Sequence, residues 1–182
     1  MSTPRHAHDF LLASIQDVKS AIGANDSKAS AALIVHGLIF TGLVELLVRL
    51  GGAYEAANET KQEIAIGLLC ATLITFLVSI YYILRALLPY RPKNLESKMQ
   101  GRYKGVFFPL PLLDRSDPHA DMLGLVGELD EAGITTELVA ERLKLADILR
   151  YESLNTQLGY RFLELELVFA SAFLVLVATA VL

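Results

Sequence analysis

The sequence is poor in the groups that carry out chemistry or grip nucleic acid. Its one cysteine, Cys70, lies inside an apolar run. A single cysteine forms no internal disulfide, and without a CxxC it says nothing of redox compartment. The 16 Lys and Arg are outnumbered by 20 Asp and Glu, giving a net charge of −4, so the global basic field of a nucleic-acid binder is missing. Neither a GxGxxG nor a GxxxxGKS/T phosphate cradle occurs, and GxSxG and HExxH are also absent. Glu164 and Glu166 are two apart on a helix and so do not face each other. Of the histidines, His6 and His8 read as part of a solvated tail rather than a metal site. No catalytic residue, metal or cofactor is therefore expected, and the chain does not read as an enzyme. The first 28 residues carry Arg5, Asp9, Asp17, Lys19 and Asp26 and no apolar h-region, so insertion is expected to be directed by the first span itself. There is no internal repeat and no low-complexity segment.

What is present is long charge-free stretches. The apolar fraction is 53 % of 182 residues, with 20 % charged, and the two kinds are segregated along the chain. A soluble domain spreads its apolar residues at helical or strand spacing; uninterrupted runs point to lipid. The fold expected is an all-α membrane protein, with three transmembrane helices and a cytoplasmic helical region between spans two and three.

Residues 1–28 are expected to form an amphipathic N-terminal helix on the cytoplasmic side, in which Leu11, Ile15, Val18 and Ile22 repeat at helical spacing. This stripe reads as a face packed on other helices of the same protein; its polar face is too mixed for a membrane-surface helix. Span one covers 29–50, with Glu45 and Arg49 at i, i+4 spacing near its far end and Gly51-Gly52 ending it. A loop covers 51–63. Span two covers 64–88; its charge-free part is long enough for a hydrocarbon core of about 30 Å. Tyr81, Tyr82 and Tyr90 read as interfacial anchors, and Pro89 and Pro92 as stops. Residues 89–161 are polar, irregular as far as Pro118, with a short helix around Asn94–Met99. Two helical stretches follow, Ala120–Ala132 ended by Gly133 and a second capped by Thr135-Thr136 near Glu137. No Gly or Pro interrupts the second before Gly159, so it can run into span three at 162–182. Glu164 and Glu166 are then expected at the near interface, in reach of headgroups.

Lys and Arg placement sets the orientation. The loop between spans one and two has Lys61, while Arg5, Lys19 and Lys28 precede span one and Arg85, Arg91, Lys93, Lys98, Arg102 and Lys104 surround the end of span two. The positive-inside rule puts the N-terminus and the polar region in the cytoplasm and the C-terminus outside.

Three features stand as candidate sites. His36 lies inside span one, where polar residues are functional candidates by default; it reads either as a neutral imidazole bonded to a neighbouring helix or as part of a pore lining or switch. Gly67, Ala71, Thr75 and Ser79 recur every four residues, a face of small residues that lets backbones approach. It serves packing within the protomer, or an oligomer seam or pore face. The cations Arg91, Lys93, Arg102 and Lys104, interleaved with Tyr103 and Phe107, either anchor the chain at the anionic leaflet or bind a nucleotide phosphate and ring.

Four short motifs then occur in order. Asn25-Asp26-Ser27-Lys28-Ala29-Ser30 runs into span one, and Leu88-Pro89-Tyr90-Arg91-Pro92 closes span two. Tyr103-Lys104-Gly105-Val106-Phe107-Phe108 follows, and Ile148-Leu149-Arg150-Tyr151 precedes span three. Their order and the three-span layout, from about residue 9 to the end, resemble the transmembrane effectors of the Pycsar antiphage system. At Arg150 the family more often has lysine, a change that keeps charge but not geometry. The resemblance implies a bacterial inner-membrane defence protein. A partner pyrimidine nucleotide cyclase would supply cyclic CMP or cyclic UMP. The effector would bind it, form a homo-oligomer, and impair the membrane in abortive infection. Its ligand site would then draw cations from Lys28, Arg91, Arg102, Lys104 and Arg150, and base or ribose contacts from Asn25, Asp26 and Tyr103. Asp26 and Lys28 read equally as a helix-start cap and an interface anchor. The rival readings are a SLATT-like two-span effector gated by another nucleotide, and a structural membrane subunit docking a partner protein.

Overall fold

In the computed structural model, residues 4–55, 59–90, 127 and 129–181 are described. Three helices hold nearly all of them: α1, Pro4–Glu55; α2, Glu59–Leu87; and α3, Glu131–Val181. No strand occurs among the described residues. Each helix is long and apolar enough to cross a membrane, and the chain is a multi-pass, all-α membrane protein.

The apolar halves are built inside out relative to a water-soluble protein. Ile34, Leu38, Ile74, Leu77, Val168 and Val175 are exposed, while His36, Thr72, Thr75, Ser79 and Glu166 are buried. That distribution suits hydrocarbon as solvent, where side-chain polarity is satisfied between helices and leucine gains nothing by hiding from lipid.

α1 is one helix of 52 residues, where the sequence suggested an amphipathic helix followed by a separate span. The reason is a single register. Ile15, Val18, Ala29, Ala32 and His36 are buried and Leu11, Ile22, Asn25 and Ile39 partly so, at steps of four and three without a break. A seam kept in phase across the polar-to-apolar change gives the helix no reason to stop. Gly23 and Gly51-Gly52 lie within it; each costs about 1 kcal/mol relative to alanine in a helix, too little to end one.

The start of α3 also differs from expectation. Leu129 and Asp130 are non-helical and Gly133 is inside the helix. Asp130 is the cap: its Oδ1 accepts from Gly133 N–H at 2.7 Å, and an acidic first turn at Glu131 suits the helix dipole. Thr135 and Thr136 are past the cap, their hydroxyls donating to Glu131 O and Ala132 O one turn back, each at 2.9 Å. α2 stops at Leu87, its last backbone bond running from Leu88 N–H to Leu84 O at 3.0 Å, because Pro89 has no N–H to continue. The helices expected around Asn94–Met99 and over most of Ala120–Ala132, and the Arg49 side chain of the Glu45–Arg49 pair, lie outside the described residues and atoms.

The chain forms two compact units, Met1–Gly23 with Tyr90–Tyr151, and Ala24–Pro89 with Glu152–Leu182. In the first, Ile15 and Val18 of α1 pack with Leu138 and Leu145 of α3, flanked by Leu11, Ile22, Ile148 and Leu149. Arg142 donates from Nε to Ser14 Oγ at 2.6 Å, and His8 Nε2 lies 2.8 Å from Thr135 Oγ1. Tyr90 stacks on Tyr151 with ring centroids 4.1 Å apart. Burial holds the Glu141 carboxyl above its ordinary range, opposed by Lys19 and Lys144. In the second unit, Ala29 and Ala32 of α1, Ile83 of α2 and Leu163 of α3 make the centre. Contacts pairing Lys28 with Tyr160 and His36 with Glu166 run in parallel along α1 and α3. Those pairing Lys61 with Thr179 and Ser79 with Gly159 run antiparallel along α2 and α3.

Candidate functional site

The second unit holds two polar features. The first is a cavity of about 590 Å³, lined by Asn25 and Lys28 from α1 and by Ser153, Thr156, Gln157, Tyr160, Arg161 and Glu164 from α3. It lies where both helices turn from charged to charge-free sequence: Lys28 is the last charge of α1 before span one, and Glu164 and Glu166 the last of α3. Tyr160 fixes the wall by donating from its hydroxyl to Lys28 O at 2.9 Å. Thr156 is buried and its Oγ1 has no hydrogen-bond partner among the described residues. A buried hydroxyl left so costs about 1–3 kcal/mol, and a bound group would satisfy it.

The chemistry of the lining is mixed in a useful way. Lys28 and Arg161 bring two positive charges, and arginine offers a planar fork for phosphate oxygens. Asn25 and Gln157 bring amides that both donate and accept, and Glu164 accepts only. The volume falls within the about 300–1,000 Å³ of small-molecule sites. One turn before Thr156, Glu152 is 9 % exposed, and its Oε2 has no hydrogen-bond partner among the described residues. Burial, with the Asp26 charge adding to it, pushes its carboxyl up from 4.5 to about 7.

The second feature joins all three spans. His36 Nε2 is 2.8 Å from Ser79 Oγ, and Ser79 donates to Gly159 O at 2.6 Å. On the other side of the ring, His36 Nδ1 is 2.7 Å from Glu166 Oε2. His36 and Glu166 are 1 % and 0 % exposed. Gly159 makes the approach of α2 to α3 possible: a Cβ there would lie 2.5 Å from Ile83 Cγ1. Glu166 is thus turned in among the helices, not out toward the headgroups that its spacing suggested. Leu163, Glu166, Ala170 and Phe173 are all buried, at steps of three, four and three, so Glu166 belongs to the seam and Glu164 to the polar cavity.

A family model for the Pycsar effector protein domain matches residues 10–180. The chain belongs to the Pycsar effector family. It is a Pycsar transmembrane effector of antiphage defence. Neither the curated proteins nor the solved structures contain a match.

Within this Pycsar effector, the residues singled out from sequence separate as follows. Asn25 and Lys28 line the polar cavity, and Asp26 is exposed on α1 and acts on Glu152. Arg150 is exposed on α3 in the first unit. Arg91, Arg102, Tyr103 and Lys104 lie outside the described residues. Along the small-residue stripe, Gly67 is exposed and Ala71 half-buried, while Thr75 and Ser79 are buried within the chain. Thr75 donates back to Ala71 O or Thr72 O, both 2.9 Å away. Sequence reasoning missed Thr156, Gln157 and Arg161. Nothing in their local spacing announces a site; only the pairing of α3 with α1 brings them to Asn25 and Lys28.

Proposed function

We propose that this chain is a non-enzymatic effector that binds a cyclic pyrimidine nucleotide, cyclic CMP or cyclic UMP, in the polar cavity of its second unit. A partner cyclase makes the nucleotide, and the bound effector impairs the bacterial inner membrane in abortive infection. The N-terminus and the segment between α2 and α3 face the cytoplasm, following the Lys and Arg bias. The cavity then opens to the side on which the nucleotide is made. The observation that carries the reading is the lining: two cations, two amides and a buried hydroxyl without a hydrogen-bond partner among the described residues converge on one cavity. Lys28 and Arg161 take the single charge of the cyclic phosphate. Asn25 and Gln157 read the donor and acceptor edge of the base, and Glu164 accepts from the ribose hydroxyl. Activation requires the ligand to favour the membrane-damaging arrangement, because differential affinity is all that shifts an equilibrium. Homo-oligomer formation is the step at which damage follows, with the lipid-facing apolar residues as the surfaces that change partners.

The test is depolarisation of proteoliposomes titrated with cyclic CMP, cyclic UMP and cyclic AMP, in parallel with calorimetric binding. One pyrimidine nucleotide is expected to bind and depolarise, and cyclic AMP not. Lys28→Ala and Arg161→Ala should each weaken binding roughly 10- to 100-fold, the range for losing a charge-assisted phosphate contact of about 1.5–3 kcal/mol. Unchanged binding in both variants would move the site elsewhere; no binding of either pyrimidine nucleotide to the inserted protein would remove the reading.

A further inference from the structure

The His36–Glu166 contact has a proton count that follows from its partners. Gly159 O can only accept, so Ser79 spends its hydroxyl proton there, at 2.6 Å. Ser79 Oγ is then the acceptor for His36 Nε2–H at 2.8 Å. With Nε2 protonated, the 2.7 Å between Nδ1 and Glu166 Oε2 must hold a second hydrogen. Without it, two lone pairs would face each other, one of them on a carboxylate. The pair is therefore imidazolium with carboxylate, or neutral imidazole with carboxylic acid. Both arrangements have the same total: one dissociable proton and no net charge.

We propose that His36 and Glu166, tied to Ser79, form an intramembrane proton-binding site whose single proton holds the three spans together. Loss of the proton leaves a net negative charge and two acceptors in contact, in a place that water does not reach. Among the described residues, the groups that face the pair offer no substitute. From α1, Phe40, Leu43 and Val44, and from α2, Thr72, Leu73 and Phe76, line the apolar cavity of about 180 Å³ that also takes in Glu166. Phe76 meets the His36 ring edge-on at 5.5 Å. Thr72 donates its hydroxyl to Leu68 O at 2.8 Å. Charged groups on the same helices are displaced from the pair. Glu45 is nine residues beyond His36, about 13 Å along the helix. Arg85 is six beyond Ser79, about 9 Å, and is exposed over Tyr81. Glu164 lines the polar cavity instead. Glu166 Oε1 has no partner among the described residues, so the shared proton is all that anchors this carboxyl group.

The site differs from the nucleotide cavity in ligand and in residues, and its test needs no nucleotide. Unfolded, with both groups hydrated, the pair carries no proton above about pH 6.5, the ordinary value for histidine. Opening then releases one proton. In Glu166→Gln the amide N–H supplies the hydrogen to Nδ1, so the contact survives and opening releases none. Thermal unfolding of the full chain in detergent micelles is measured from pH 5 to 9 for both proteins. The ratio of unfolding constants, wild type over Glu166→Gln, is expected to rise about tenfold per pH unit across the whole range: below about pH 6.5 the variant's histidine takes up a proton on unfolding, and above it the wild-type pair releases one; other titrating groups are common to both and cancel. A ratio that stays constant with pH overturns the proposal, because a merely structural glutamate would give that. If Glu166→Gln does not fold, His36→Gln decides. Glutamine still bridges the two partners, and Glu166 must then hold the proton alone. The alkaline loss of stability should begin near the ordinary glutamate value of about 4.3 rather than near 6.5; an unmoved onset counts against the site.

Discussion

Replacing Glu152 with glutamine should stabilise this protein at alkaline pH, against the usual direction of a point substitution. Glu152 is 9 % exposed, and its carboxyl ionises near 7 in the folded chain against 4.5 when solvated, first because of burial and second because of Asp26. Between those values folding takes up a proton. The stability carried by this group is therefore complete below about pH 4.5 and lost as pH rises through about 7. At about 1.4 kcal/mol per pH unit, keeping the ionised form buried at pH 8 costs up to about 3 kcal/mol. Glutamine removes that charge but leaves an amide in the same poor surroundings, at about 1 kcal/mol. The net gain at pH 8 is about 2 kcal/mol. Circular dichroism melts in detergent micelles at pH 8 and pH 4.5 measure it: the variant should melt higher at pH 8 and lose that advantage at pH 4.5. Asp26→Asn should recover a smaller share, since the Asp26 charge is the lesser cause. A Glu152→Gln protein no more stable than wild type at pH 8, or better by the same margin at both values, would refute the buried-charge account.

Gly159→Ala places a methyl 2.5 Å from Ile83 Cγ1 and should cost about 1–3 kcal/mol by overpacking. Pairing it with Ile83→Ala should cost less than the sum of the two single changes, which a double-mutant cycle of melting curves reads directly. Asp130→Ala removes the cap on Gly133 N–H and should cost about 1 kcal/mol, seen as faster amide hydrogen exchange over the first turn of α3.

How much was legible follows from the length over which each signal acts. The two-helix split assigned to residues 1–50 came from composition, which changes at Lys28; the helix follows register, which does not change. Thr135-Thr136 looked like a cap because threonine is a good one, yet Asp130 lies five residues earlier and takes the free N–H of Gly133 in the first turn. Both signals were in the sequence, and the stronger was the less conspicuous. His36 was visible as a polar residue within a span, and a partner on another span was to be expected. Glu166 was placed at the headgroups because it lies at the edge of the charge-free run, although its phase with Leu163, Ala170 and Phe173 pointed inward.

By itself the sequence determined the solvent. Charge-free runs long enough to cross hydrocarbon leave a chain no other place to fold, and backbone polarity in lipid leaves it little choice but helix. Family membership was legible on the same basis, from short motifs in a fixed order. Tertiary structure alone decided which side chains share a site. Asn25 and Lys28 meet Thr156, Gln157 and Arg161 across more than 120 residues of sequence, and His36 meets Ser79 and Glu166 through the approach that Gly159 permits. Those meetings depend on the relative register of packed helices, which close contact between side chains fixes and no local pattern records.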